Sequence, residues 1–85
     1  YPAMTLDETY QVFRKARSDR ENLLPTLTVG NDLKIENLGD TDQVEYIWKG
    51  KNELHITQNF PGGVTEFTFA ADKSGTAVTE IGYPD

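Results

Sequence analysis

The sequence predicts an α+β domain in which an N-terminal α-helix packs on one face of a five- or six-stranded antiparallel β-meander. Three observations predict it. Apolar residues recur at three- and four-residue steps before Pro25, the period changes to two after it, and every later separator is too short for a parallel crossover.

The helix is expected over about residues 5–18. Thr5-Leu6-Asp7-Glu8 fits a capping box, in which the Thr5 hydroxyl accepts a first-turn N–H and the Glu8 carboxylate accepts the N-cap N–H. Leu6, Tyr10, Phe13 and Ala16 or Arg17 then share one face, and the acids early and bases late suit the helix dipole. Ser18-Asp19-Arg20-Glu21 has the form of a second capping box. It is expected to restart a short helical turn within 19–24 that carries Leu23 and Leu24 before Pro25 ends it.

The meander is expected over 26–83, with strands at Thr26–Val29, Leu33–Leu38, Val44–Lys49, Glu53–Phe60, Val64–Ala70 and Ala77–Tyr83. Turn chemistry separates them at Gly30-Asn31-Asp32, Gly39-Asp40-Thr41-Asp42, Gly50-Lys51-Asn52, Pro61-Gly62-Gly63 and Asp72-Lys73-Ser74-Gly75. Alternation assigns Val44, Tyr46, Trp48, Leu54, Ile56, Phe67 and Phe69 to the helix-facing side. The other side reads Glu45, Ile47, Lys49, Glu53, His55, Thr57, Asn59, Glu66 and Thr68, with Ile47 its apolar exception.

At 85 residues the chain is read as one domain over 1–85, with little room for a deep cavity. It has no cysteine, so disulfides, thiolate metal sites and cysteine nucleophiles are excluded. No apolar run approaches the ~18 residues of a membrane span. The net charge of −6 lies wholly downstream of Pro25: residues 1–25 balance four bases against four acids, and residues 26–85 set four lysines against ten acids. Such a surface repels phosphate, so nucleic acid is excluded as a partner and a basic protein surface is favoured. The start at Tyr1 rather than methionine leans towards a processed, secreted or periplasmic protein, or a domain cut from a larger chain.

Chemical motifs are sparse. His55 is the single histidine, which excludes a multi-histidine metal site and leaves it as the one base for any hydroxyl triad. Neither Ser18 nor Ser74 lies in a nucleophile elbow. Asp40 and Asp42 offer oxygen ligands in one loop, but the calcium-loop pattern is incomplete, and the glycines at 62 and 63 precede no helix or lysine as a phosphate loop requires. Carboxylate pairs are abundant enough to arise by chance, and most of the nine aromatics belong in the core of so small a body. Phe60 and Tyr83, beside prolines at strand ends, are the aromatics expected to be exposed.

The residues therefore point to a non-catalytic protein-binding module of inhibitor, immunity or envelope accessory type, without cofactor or metal, monomeric or dimeric through an edge strand. Its expected contacts are Glu45, Ile47, Glu53, His55 and Glu66 on the open sheet face, or Asp40 and Asp42 in the acidic loop. The competing expectations are a lipid or sugar held in a curled half-barrel lined by Tyr46 and Trp48, and a structural domain of a larger chain.

Overall fold

The computed structural model describes residues 3–18 and 20–84, residue 84 by its backbone only. Tyr1 and Asp85, on which the expected processed or excised ends rest, lie outside the described residues. The elements run α1 (Leu6–Ala16), a 3₁₀ turn (Arg20–Asn22), then β1 (Leu33–Glu36), β2 (Gln43–Lys49), β3 (Glu53–Phe60), β4 (Gly63–Asp72) and β5 (Gly75–Pro84). The strands form one antiparallel sheet in the order β1-β2-β3-β4-β5, open at both edges. Among the described residues no helix is long and apolar enough to cross a membrane.

The helix begins as its capping box dictates. Glu8 N–H donates to Thr5 Oγ1 at 3.2 Å and Thr5 N–H donates to Glu8 Oε1 at 3.0 Å. The Thr5 backbone N–H first, and the Thr5 side chain after it, hold the exposed Glu8 carboxyl below its ordinary pKa by hydrogen bonding to the carboxylate. The helix stops two residues earlier than the expected 18, because Arg17 turns extended (ψ 141°). From there its guanidinium lies 5.2 Å from the Phe13 ring centre and 4.9 Å from that of Phe67, and reaches Glu80 of β5 at 3.4 Å. Cation–π attraction and an ion pair thus tie the helix end to the sheet. The expected second capping box includes Asp19, outside the described residues; the turn that follows is 3₁₀ and covers only 20–22.

The sixth expected strand, Thr26–Val29, does not form. Residues 20–30 instead make a strap across the β2–β3 half of the sheet, burying Leu23 fully and Leu24 and Leu27 in part. The strap's backbone is paired with side chains instead of a neighbouring strand. Arg14 Nε donates to Leu23 O (3.2 Å), Gln11 Nε2 to Pro25 O (3.0 Å) and Gln58 Nε2 to Asn22 O (3.0 Å). Those donors satisfy carbonyls that a strand would have paired, in a buried bond at Asn22, a part-buried one at Leu23 and an exposed one at Pro25.

The tightest junction is a closed ring of three hydrogen bonds. Leu24 N–H donates to Tyr46 Oη (2.9 Å), Tyr46 and Tyr10 share a hydroxyl bond (2.7 Å), and Tyr10 Oη–H donates to Leu24 O (2.6 Å). Strap, sheet and helix meet there, with Tyr10 and Tyr46 at 0 % and 1 % exposure. Burial raises the pKa of both phenols above the ordinary 10. Around the ring, Phe13 stands edge-on to Phe67 and Phe69 at 5.2 and 5.3 Å between ring centres, completing a core with Leu6, Val44, Leu54 and Ile56.

Gly39 secures the far side of the strap. Its φ of +60° is a left-handed conformation, and a Cβ there would collide with the Asn22 side chain and lie 2.9 Å from Glu21 O. This close approach lets Asp40 N–H donate to Asn22 Oδ1 at 2.8 Å.

Tyr46→Phe leaves the Leu24 N–H without an acceptor and should lower stability by about 1–3 kcal/mol, whereas Thr9→Val should raise it by up to about 1 kcal/mol, because the buried Thr9 hydroxyl has no partner; urea unfolding midpoints at unchanged slope measure both. The phenols bind their protons more tightly folded than unfolded, so their stabilisation is complete below pH ~10 and is lost as pH rises beyond it. Circular dichroism and the share of the tyrosinate absorbance that belongs to Tyr10 and Tyr46 should therefore change together in one cooperative alkaline transition, and Tyr46→Phe should weaken that pH dependence.

Candidate functional site

Helix and strap lie on one side of the sheet, and the strand registers place the other side's residues in rows. Lys34, Glu45, Thr57, Glu66 and Ile81 form one row, and Ile47, His55, Thr68 and Thr79 the next. On one flank stand Glu36, Gln43, Asn59, Val64 and Tyr83, and on the other Lys49, Glu53, Ala70 and Ala77. Five of the seven expected contact residues, Glu45, Ile47, Glu53, His55 and Glu66, are thus gathered on one uncovered face. Asp40 and Asp42 are not. They sit in the β1–β2 loop, where Asp40 N–H is bonded to Asn22 on the strap side and Asp42 N–H to Asn59 O (2.8 Å). The acidic loop and the acidic face are separate surfaces.

The face carries four glutamates against two lysines, and register makes their positions unequal. Glu45 stands opposite Lys34, and Glu53 opposite Lys49, while Glu66 has Thr57 and Ile81 as its cross-strand neighbours. Directly opposed side chains are the nearest ones on a sheet, so Glu66, and on the flank Glu36 opposite Gln43, keep the least compensated charges. Its apolar residues are Ile47, Ile81 and Tyr83, at 39, 45 and 49 % exposure, with half-buried Val64 beside Tyr83. Sequence reading had found Ile47 and Tyr83 but passed over Ile81; the alternation Ala77, Thr79, Ile81, Tyr83 was the signal available.

His55 is held at both ring nitrogens, by Glu53 Oε2 at 2.5 Å from Nε2 and Thr68 Oγ1 at 3.4 Å from Nδ1. Carboxylate, imidazole and hydroxyl follow one another as in a nucleophilic triad. The hydroxyl contact is at the outer limit of a hydrogen bond, and the three groups lie on an open, flat face. Two surface depressions, of about 430 and 450 Å³, lie elsewhere. The first, at the start of α1, is lined by Met4, Thr5, Leu6, Lys51 and Lys73 among others, with Asp7 and Asp72 offsetting the lysines. The second, lined by Phe60, Val64 and Tyr83 with Gly62, Gly63 and Gly82, lies at the β3–β4 turn end of the sheet, where Phe60, Thr65 and Gly82 belong by register to the rows of the helix-facing side.

Tyr46, expected to line a half-barrel cavity, is bonded into the core, and half-buried Trp48 packs against that core, its backbone N–H donating to Asp32 Oδ1 (2.8 Å). Among the described residues no three acidic or histidine side chains gather as a metal site. No family model, curated protein or solved structure matches the chain.

Because Glu66 is exposed, Glu66→Lys should change folding stability by less than about 0.5 kcal/mol, measured by urea unfolding.

Proposed function

We propose that this chain is a non-catalytic protein-binding module that receives a partner's basic surface on the open face of its sheet. The observation that carries the reading is that face itself. It is a whole side of an ordered sheet that no element among the described residues covers, and it combines exposed Ile47, Ile81 and Tyr83 with four glutamates against two lysines. Apolar area supplies binding energy and the surrounding carboxylates supply orientation and encounter rate. Glu66, beside exposed Ile81 and with no lysine opposite it, is a charge that a partner's Arg or Lys would meet. An inhibitor, immunity or envelope accessory role is consistent with a rigid face of this kind.

The test is association with a captured partner, measured by surface plasmon resonance at low and high salt. The combined variant Glu45→Lys, Glu53→Lys and Glu66→Lys should slow association by about tenfold or more at low salt, with the difference shrinking at high salt. Ile81→Asp should act mainly on dissociation, and Lys15→Ala on the helix should leave binding unchanged. Affinity that survives both face variants, or falls equally with Lys15→Ala, would place the binding surface elsewhere.

A further inference from the structure

We infer that β5 pairs with the β5 of a second copy of this chain, antiparallel, about a two-fold axis through Thr79, so that the two sheets become one. The two sheet edges are built differently. β1 has four residues, carries Lys34 and runs into Asn37 at a φ of +58°, all features that discourage further pairing. β5 has ten residues in register with β4 from Asp72–Gly75 to Gly63–Pro84. It holds no lysine or arginine, its one charge is Glu80, and its one proline is the last residue. The described residues of the N-terminal segment bond its turn end, Ala3 N–H donating to Ser74 O and Thr76 Oγ1 to Met4 O. The remaining edge offers its backbone N–H and C=O groups to a strand.

The helix supplies the second layer of the same surface. Gln11 and Arg14 bond the strap on one flank of α1, and at about 100° per residue Val12 and Ala16 fall on the other flank, towards the β5 edge. Both are exposed, Val12 at 41 %, and neither is charged. Because α1 lies against β4 and β5, its axis stands roughly one strand spacing, ~4.8 Å, from an axis of symmetry beyond β5. Two such helices come within about 10 Å of each other, the distance at which helices pack through small side chains.

Sequence selects the register and the occupant. For both copies to keep their helices on the same side, the axis must pass through a residue, and the centre of β5 offers Thr79 or Glu80. Centring on Glu80 sets that carboxylate opposite itself, which is unfavourable. Centring on Thr79 sets Glu80 opposite Val78, Ile81 opposite Ala77 and Tyr83 opposite Gly75, large against small along the strand. The Arg17–Glu80 pairs of the two copies then alternate in sign beside the axis. An isologous pairing of this kind uses up both β5 edges and leaves only the protected β1 edges, so assembly closes at two.

Sedimentation equilibrium from micromolar to millimolar concentration tests the inference. The wild-type mass should rise towards twice the 9.6 kDa of the chain. Thr79→Lys and Thr79→Glu, both at an exposed position and checked for fold by circular dichroism, should each weaken self-association at least tenfold by opposing like charges. Their equimolar mixture should recover it. A wild-type chain that stays monomeric throughout, including one whose β5 takes a strand from a different protein, overturns the inference. So does a dimer that neither single variant weakens, or a mixture that recovers nothing.

Discussion

The ring of hydrogen bonds through Tyr10, Tyr46 and the main chain of Leu24 is the constraint on which the rest of the structure depends. An irregular strap must cover half of a sheet face without a neighbouring strand to pair its backbone, and each buried backbone group left unpaired costs about 1–3 kcal/mol. The two phenols meet that demand from opposite sides: Tyr10 from the helix takes the Leu24 carbonyl, and Tyr46 from β2 takes its N–H. Gln11, Arg14 and Gln58 do the same for Pro25, Leu23 and Asn22. Polar side chains thus serve as the strap's ladder, and the apolar residues Leu23, Leu24 and Leu27 are thereby held over the core.

Filling one face so completely is what leaves the other face free for function. Helix and strap together cover the apolar side, so the opposite side needs no cover for stability and can carry Glu45, Glu53 and Glu66 beside Ile47, Ile81 and Tyr83. The same division sets the edges apart. The strap lies over the β2–β3 half and the helix over β4 and β5, which brings an uncharged helix flank above the longer, unprotected edge. Open face and β5 edge are distinct surfaces, one biased in charge and one nearly without it, and they fit different partners.

Much of this was legible in the residues, where local chemistry decides the outcome. Thr5 and Glu8 announced the helix start, and period-two alternation placed Glu45, Ile47, Glu53, His55 and Glu66 together, because in a strand parity alone assigns the face. What was not legible depended on contacts distant in sequence. Thr26–Val29 has the composition of a strand, but the sheet's apolar face needed a cover and Leu27 was spent on that. Asn22, Gln58 and Thr9 are polar residues whose burial no local pattern announces; Gln58 even alternates correctly with Leu54 and Ile56, and its inward position follows from parity once polarity is set aside. Asp40 and Asp42 looked equivalent to the face acids by charge, and only the Gly39 approach to Asn22 sets their loop on the strap side.

Amide hydrogen exchange at Leu24, followed by NMR, tests the central claim most directly. If the phenol ring holds the strap to helix and sheet, the Leu24 N–H should exchange only through global unfolding, with protection matching the slowest amides of β3 and β4 despite lying in a segment without regular secondary structure. Exchange at Leu24 as fast as at exposed loop positions such as Asn31 or Lys51 would contradict the account, since it would mean that the strap opens while helix and sheet remain folded.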